Sequence, residues 1–238
     1  MSTRPTIGIV AGSGIDLDGL LDTKNETILF SEIDNLHPTT VLGHQGQFIQ
    51  GISDETPIIL QIGRLHFYEG YTYSEITRSV DTLHAMGASM IIFTNAAGGL
   101  RPEMEAGHLM AADSIGLWPC SQWPDHPTSI TPTQVLKGCD SHGTYTWIHG
   151  PCYETQAEIH ALQAIQSDAI GMSTAPEVAR CNELGIESAS ITCITNNCCS
   201  PQTLTHEHVI EIAHQASRRI QAIIRAALPE LTQVGPHQ

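Results

Sequence analysis

Basic residues are scarce in this chain: 10 lysines and arginines stand against 25 aspartates and glutamates, a formal charge of −15. Nucleic-acid and membrane-surface binding both need a basic face, so this balance argues against either. It leaves room for a small anionic substrate, which needs only a local positive site. No apolar run approaches transmembrane length. No signal peptide is expected, because Met1–Pro5 leads straight into a strand pattern. There is no Cys-x-x-Cys pair among the seven cysteines, and the adjacent Cys198 and Cys199 do not have zinc-ligand spacing. Reduced thiols in a cytoplasmic protein are the expectation. The 13 histidines offer no metal spacing either, since His206 and His208 fall on different faces of a helix; no metal site is expected. Repeats, low-complexity tracts and composition breaks are also missing. Residues 1–238 therefore read as one domain, and 41% apolar content is enough for a core.

What is present alternates strand and helix. Thr6–Ala11 reads as a short buried strand, followed by strand patterns at Glu26–Phe30, Gln47–Ile52 and Pro57–Ile62. Ser74 is the expected N-cap of a helix through Met86, closed by Gly87. Ser89–Thr94 is a buried strand ending in Asn95-Ala-Ala-Gly-Gly-Leu100. Trp118–Gln134, with four prolines, reads as a long loop. Thr144–His149 is a strand, Thr155–Ile165 a helix, Ala169–Met172 a short strand and Ala175–Glu183 a helix closed by Gly185. Ile186–Ile194 is a strand ending at Thr195-Asn196-Asn197. Thr205 caps a final helix to about Ala227. The class is α/β.

Chemistry-bearing residues cluster at the strand ends. The stretch Gly63–Tyr71, GRLHFYEGY, sets Arg64, His66, Tyr68 and Glu69 directly after a buried strand, where open α/β sheets place their ligands. A guanidinium fork, an imidazole and a phenol together suit an anionic oxygen ligand beside a hydroxylated one. Gly12-Ser13-Gly14 follows the first strand, and its bare amides and hydroxyl can cradle an oxyanion. It lacks the third glycine of a dinucleotide fingerprint and the Gly-Lys-Ser/Thr of a P-loop, so an ordinary tight turn fits it equally. Asn95-Ala-Ala-Gly-Gly can expose amides to a ligand or mark a crowded sheet–helix junction. In Gly150-Pro-Cys-Tyr-Glu-Thr155, Tyr153 can stack a heterocycle and Glu154 can accept its ring N–H groups; alternatively Glu154 caps the next helix. In Gly171-Met-Ser-Thr-Ala-Pro-Glu177, Ser173 or Thr174 can serve as N-cap and anion ligand at once.

In this order, the motifs GSG at Gly12, GHQG at Gly43, GRLHFYEGY at Gly63, NAAGGL at Asn95, GPCYET at Gly150, GMSTAPE at Gly171 and ITN at Ile194 resemble the trimeric purine nucleoside phosphorylases, the family that also holds the methylthioadenosine phosphorylases. The match runs from Gly8 to about Ile212. The resemblance implies a central mixed β-sheet flanked by helices, and a homotrimer. It implies that purine nucleoside and phosphate are converted to free purine and ribose 1-phosphate with no cofactor, inorganic phosphate being a co-substrate. It places phosphate at Ser13, His44, Arg64, His66, the Ala96 amide and Ser173. The sugar rests on Met172 with Tyr68 and His206 toward its hydroxyls, the base meets Tyr153, Glu154 and Asn196, and Glu69 acts behind the Arg64–His66 pair. His66, Glu69, Asn196 and His206 are the residues to which it gives catalytic roles.

Within that family an asparagine at 196 suits 6-oxopurines, whereas members accepting 6-amino purines usually carry aspartate there. His206 suggests a free 5′-hydroxyl partner rather than a methylthio group. The leading expectation is therefore an inosine or guanosine phosphorylase. A methylthioadenosine or 6-aminopurine phosphorylase, a nucleoside hydrolase, and a weakened nucleoside-binding homologue are the other readings. The chain departs from the family pattern in four places. Asp16 stands where glycine is common and would repel phosphate unless it points away. Tyr153 replaces a phenylalanine, Asn197-Cys-Cys replaces a run of small residues, and the region between Ala111 and Thr144 is short. Trp118 or Trp123 could supply the aromatic wall that relatives lend from a neighbouring subunit, with Trp118–Gln134 closing over the sugar; packing of both tryptophans on their own subunit is the alternative.

Overall fold

The computed structural model describes residues 4–39, 46–119, 123, 130–200 and 205–232, without the side chain of His206. Among these the strands are β1 (Thr6–Ala11), β2 (Thr23–Leu29), β3 (Gln47–Ser53), β4 (Thr56–Ile62), β5 (Ala88–Gly99), β6 (Leu109–Leu117), β7 (Ser141–Trp147), β8 (Ala169–Gly171) and β9 (Glu187–Asn197). The α-helices are α1 (Tyr73–Ala85), α2 (Gln156–Ala164), α3 (Ala175–Leu184) and α4 (His206–Leu231). They form one mixed sheet in the order β2-β3-β4-β1-β5-β8-β7-β6-β9. A further β5–β9 pairing closes the last five strands into a ring. The expected mixed sheet flanked by helices is what the chain adopts.

Alternation along β1 explains the layering. Ile7 and Ile9 join a core with Ala213, Ala216, Ile220 and Ile224 of α4. Val10 faces the opposite way, into a core with Val80 and Leu83 of α1 and Val178 and Cys181 of α3. The β1 strand runs parallel to both β4 and β5, and β5 runs parallel to β9. Their C-terminal ends therefore emerge along one edge, which is where the chemistry-bearing motifs lie.

Several strand ends shift by three residues, with β2 starting at Thr23, β7 starting at Ser141 and β9 running on to Asn197, and three further expectations change. The cap of α1 is Thr72 rather than Ser74: the Thr72 hydroxyl accepts from Glu75 N (3.4 Å) and Glu75 Oε2 accepts from Thr72 N (2.8 Å). Thr-x-x-Glu supplies the reciprocal carboxylate that a cap at Ser74 lacks. The β5 strand does not end at Thr94 but continues to Gly99, because Ala96 and Ala97 pair with Cys193 and Ile194 of β9. The third is β6, which begins at Leu109, where no element was expected. Its Ala-Ala-Asp-Ser centre has weak strand propensity, and it is held by pairing with β7 and β9.

Candidate active site

The turn after β1 approaches β5 closely. Gly12 N donates to Thr94 Oγ1 (3.0 Å), and Thr94 Oγ1 donates to Val10 O (2.9 Å). A Cβ on Gly12 would lie 2.6 Å from the Thr94 carbonyl oxygen, so only glycine fits and Ser13 is delivered to the sheet edge. After β4, Arg64 and His66 arrive at the same edge. The strand end of β5 supplies Ala96, Ala97 and Gly98, that of β8 Gly171, Met172 and Ser173, and that of β9 Thr195 and Asn196. One cavity is lined by these groups together with Tyr68, Tyr153, Glu154, Ile170 and Val209. Ten of the thirteen residues proposed from sequence thus share a single cavity: Ser13, Arg64, His66, Tyr68, Ala96, Tyr153, Glu154, Met172, Ser173 and Asn196. His44 lies outside the described residues, as does the side chain of His206, the first residue of α4.

Glu69, the thirteenth, sits behind the wall. Its Oε1 accepts from His66 N (2.8 Å) and lies 3.0 Å from His66 Nδ1, which fixes the ring. It was expected to stand behind Arg64 as well, but the carboxylate bound to Arg64 is that of Glu177, at 3.0 Å. Both partners are almost fully buried. Arg64 Nη1 donates to Thr94 O (3.1 Å) and Ser173 Oγ (3.2 Å). The His66 and Tyr68 rings stack at 4.8 Å. Burial first, and the nearby Glu69 charge second, raise the Tyr68 phenol above its usual value, so it is a neutral hydroxyl at neutral pH.

At the far end, Asn196 is buried and its amide is oriented. Nδ2 donates to Cys198 Sγ (3.4 Å), and Oδ1 lies 3.2 Å from the Thr195 hydroxyl, a donor. The second Nδ2 hydrogen remains to meet a ligand. Burial pushes the Cys198 thiol up to about 12, so it is no thiolate. Burial also raises the Glu154 carboxyl above the ordinary carboxylate range. Glu154 is not the helix cap: α2 is capped by Thr155, whose hydroxyl accepts from Glu158 N while Glu158 Oε2 accepts from Thr155 N. Tyr153 is 47% exposed at the rim.

The Asp16 carboxylate accepts from Asp18 N (2.9 Å); Asp16 is absent from the lining of this cavity but lines the neighbouring one, which shares Ser13, Arg64 and His66 with it. Asn197 is turned to the loop before β6, donating to Arg101 O, Pro102 O and Met104 O. The Asn95-Ala-Ala-Gly-Gly stretch is both crowded strand and site wall. A Cβ on Gly98 would lie 2.5 Å from Cys198 Sγ, and Ala96–Gly98 face the cavity. Trp123 is buried on its own chain, with ring contacts to Phe67, Tyr73 and Trp147. Trp118 packs against Leu100, Ile159, Leu162 and Ile170. Neither tryptophan lines the cavity, so neither supplies the missing aromatic wall in this chain. Most of Trp118–Gln134, the segment expected to close over the sugar, lies outside the described residues.

Sequence reasoning offered Ala97 and Gly98 only within a possible amide-exposing stretch, and missed Ile170, Gly171, Thr195 and Val209 as cavity walls and Glu177 as the partner of Arg64. The apolar walls carry no local signal. Glu177 did: a carboxylate three residues into a strand-to-helix turn that also holds the site's serine.

Comparison with known proteins gives a concordant result. The sequence matches the phosphorylase superfamily over residues 6–126 and 139–229. It is 32% identical over 253 residues to purine nucleoside phosphorylase 1 of Bacillus subtilis, covering 95% of this chain and 92% of that protein. Against the purine nucleoside phosphorylase of Bos taurus it is 30% identical over 262 residues, covering 95% and 90%. Its fold superimposes on that of the Schistosoma mansoni purine nucleoside phosphorylase solved in complex with inosine, with a TM-score of 0.82, 25% identity, and coverage of 100% of this chain and 93% of that one.

Proposed function

The chain belongs to the phosphorylase superfamily and, within it, to the purine nucleoside phosphorylases, and on that premise we propose that it cleaves inosine- and guanosine-type nucleosides with phosphate, releasing the free 6-oxopurine and ribose 1-phosphate. The observation that carries this reading is the meeting, in one cavity, of an anion-ready wall at one end and an oriented amide donor at the other.

Phosphate binds at the first wall, to the Ser13 and Ser173 hydroxyls, Arg64, His66 and the Ala96 amide; His44 is assigned to the same anion by the family resemblance alone. The sugar rests on Met172, with Tyr68 toward its hydroxyls; His206 is assigned to the sugar by the family resemblance alone. The base lies against Tyr153, between Glu154 and Asn196. As the C1′–N9 bond lengthens, the sugar becomes oxocarbenium-like and the purine takes the electron pair, as in glycoside hydrolysis. The phosphate dianion stabilises the developing cation and then forms the C1′–O bond. Asn196 donates to the purine as it becomes anionic; one such preplaced donor is worth about 3 kcal/mol. No cofactor takes part, and no covalent enzyme intermediate is needed. Glu69 keeps the His66 ring aimed at the anion.

A homotrimer in the cytoplasm is part of the same proposal. The half-exposed Tyr153 at the rim suits a site completed by a neighbouring subunit, and the six described cysteines are free thiols. Among the described residues no helix is long and apolar enough to cross a membrane. Phosphorus NMR of inosine incubated with the protein and phosphate tests the chemistry. A sugar 1-phosphate resonance growing in step with hypoxanthine is expected, and hypoxanthine accompanied by free ribose would point to a hydrolase.

A further inference from the structure

A guanidinium has five N–H groups, and a carboxylate beside it commonly takes two of them in a parallel fork. Glu177 does not. Its Oε1 accepts from Arg64 Nε (3.0 Å), while its Oε2 accepts from the backbone N–H of Thr174 (2.9 Å). Arg64 Nη1 is committed to Thr94 O and Ser173 Oγ. Nη2 is buried and has no partner. A buried charged donor left unpaired is costly, and an anion in the cavity would relieve that cost.

The backbone group that takes the second oxygen is itself unusual. Thr174 has φ 74° and ψ −46°, a region that a β-branched residue rarely enters. It closes a γ-turn in which Ala175 N donates to Ser173 O (2.8 Å). Asn95 Nδ2 donates to the Thr174 hydroxyl (3.0 Å). Strain of this kind persists only where surrounding bonds fix it. One carboxylate therefore holds both the arginine and the turn that carries Ser173.

We propose that Glu177 is a positioning residue of the phosphate subsite. It anchors Arg64 through Nε alone, leaves both Nη2 hydrogens to the anion, and fixes Ser173 beside them. The proposal rests on the phosphorylase reading of the cavity. Charge alone predicts the opposite effect: the Glu177 carboxylate repels phosphate, so removing it would tighten phosphate binding. The sign of the change therefore decides.

The test is steady-state phosphorolysis of inosine by wild type, Glu177→Ala and Glu177→Gln, each checked for folding by circular dichroism. In Glu177→Ala the KM for phosphate should rise at least about tenfold while the KM for inosine stays within about twofold. In Glu177→Gln the rise should be smaller, at least about threefold, because the side-chain carbonyl can still accept from Arg64 Nε while Thr174 loses its partner. If the alanine variant does not fold, the isosteric glutamine variant decides alone. An unchanged or lowered phosphate KM in a folded variant overturns the proposal. Wild-type base release that ignores phosphate would overturn the phosphorylase reading instead, so the two failures are distinguishable.

Discussion

Replacing Asn196 by aspartate exchanges one amide nitrogen for oxygen at the buried end of the cavity. The asparagine donates from Nδ2 to Cys198 Sγ and accepts at Oδ1 beside the Thr195 hydroxyl. A carboxylate keeps the acceptor and loses the donors. Toward a 6-oxopurine it then sets acceptor against acceptor, whereas a 6-amino group can donate to it. A hydrogen bond to a charged group contributes about 1.5–3 kcal/mol. The adenosine-to-inosine ratio of kcat/KM should therefore rise by at least about tenfold, which corresponds to 1.4 kcal/mol. The size should depend on pH. Glu154 lines the same cavity, its carboxyl is already raised by burial, and its charge reaches the Cys198 thiol bonded to Asn196. A second carboxylate nearby raises both pKa values. At low pH the introduced group is protonated and can donate again, so the shift should be smallest at acid pH and grow as pH rises to neutral and above. The assay is the initial rate of base release from each nucleoside, resolved chromatographically across that range. A ratio that stays within about threefold of wild type at every pH would mean that Asn196 does not read position 6.

Arg64→Ala should raise the KM for phosphate by about a hundredfold, from two lost charge-assisted bonds at about 1.5 kcal/mol each, with little change for inosine. It also strands the buried Glu177, so the melting temperature should fall, and adding Glu177→Gln should restore stability but not phosphate use; an unchanged phosphate KM would place the anion elsewhere. Glu154→Gln should weaken purine turnover yet stabilise the fold at neutral pH. The Glu154 carboxyl is raised by burial, so its neutral form favours folding. That contribution is present below the ordinary carboxylate pKa and is lost as pH rises through the raised value. The thermal advantage of the glutamine variant should accordingly shrink as pH falls; an advantage that is the same at acid and neutral pH would show that ionisation of Glu154 is not its source.

The sequence made the site legible where chemistry is local. Arg64, His66 and Glu69 stand within one turn after a strand, and the strand end fixes their direction. Thr155 with Glu158 and Thr72 with Glu75 form capping boxes whose spacing is local, yet the cap readings fell on Glu154 and Ser74 instead. What was illegible depends on distant pairing. The β6 strand has a weak-propensity centre and exists because β7 and β9 hold it. The extension of β5 through Gly99 depends on β9, about a hundred residues on. Glu177 shares a turn with Ser173, a local hint of a site role, but its bond to Arg64 was illegible because the two lie 113 residues apart. Trp123 looked too large for a loop unless it covered the site, and three aromatic neighbours on its own chain cover it instead.

The central claim is that phosphate, and not water, takes the sugar from the purine. The direct measurement is the initial rate of hypoxanthine release from inosine, first in phosphate-free buffer and then with phosphate added to saturation. Base release should be negligible without phosphate, saturate with it, and yield one sugar phosphate for each base. Equal rates in both buffers, with the protein folded, would contradict it.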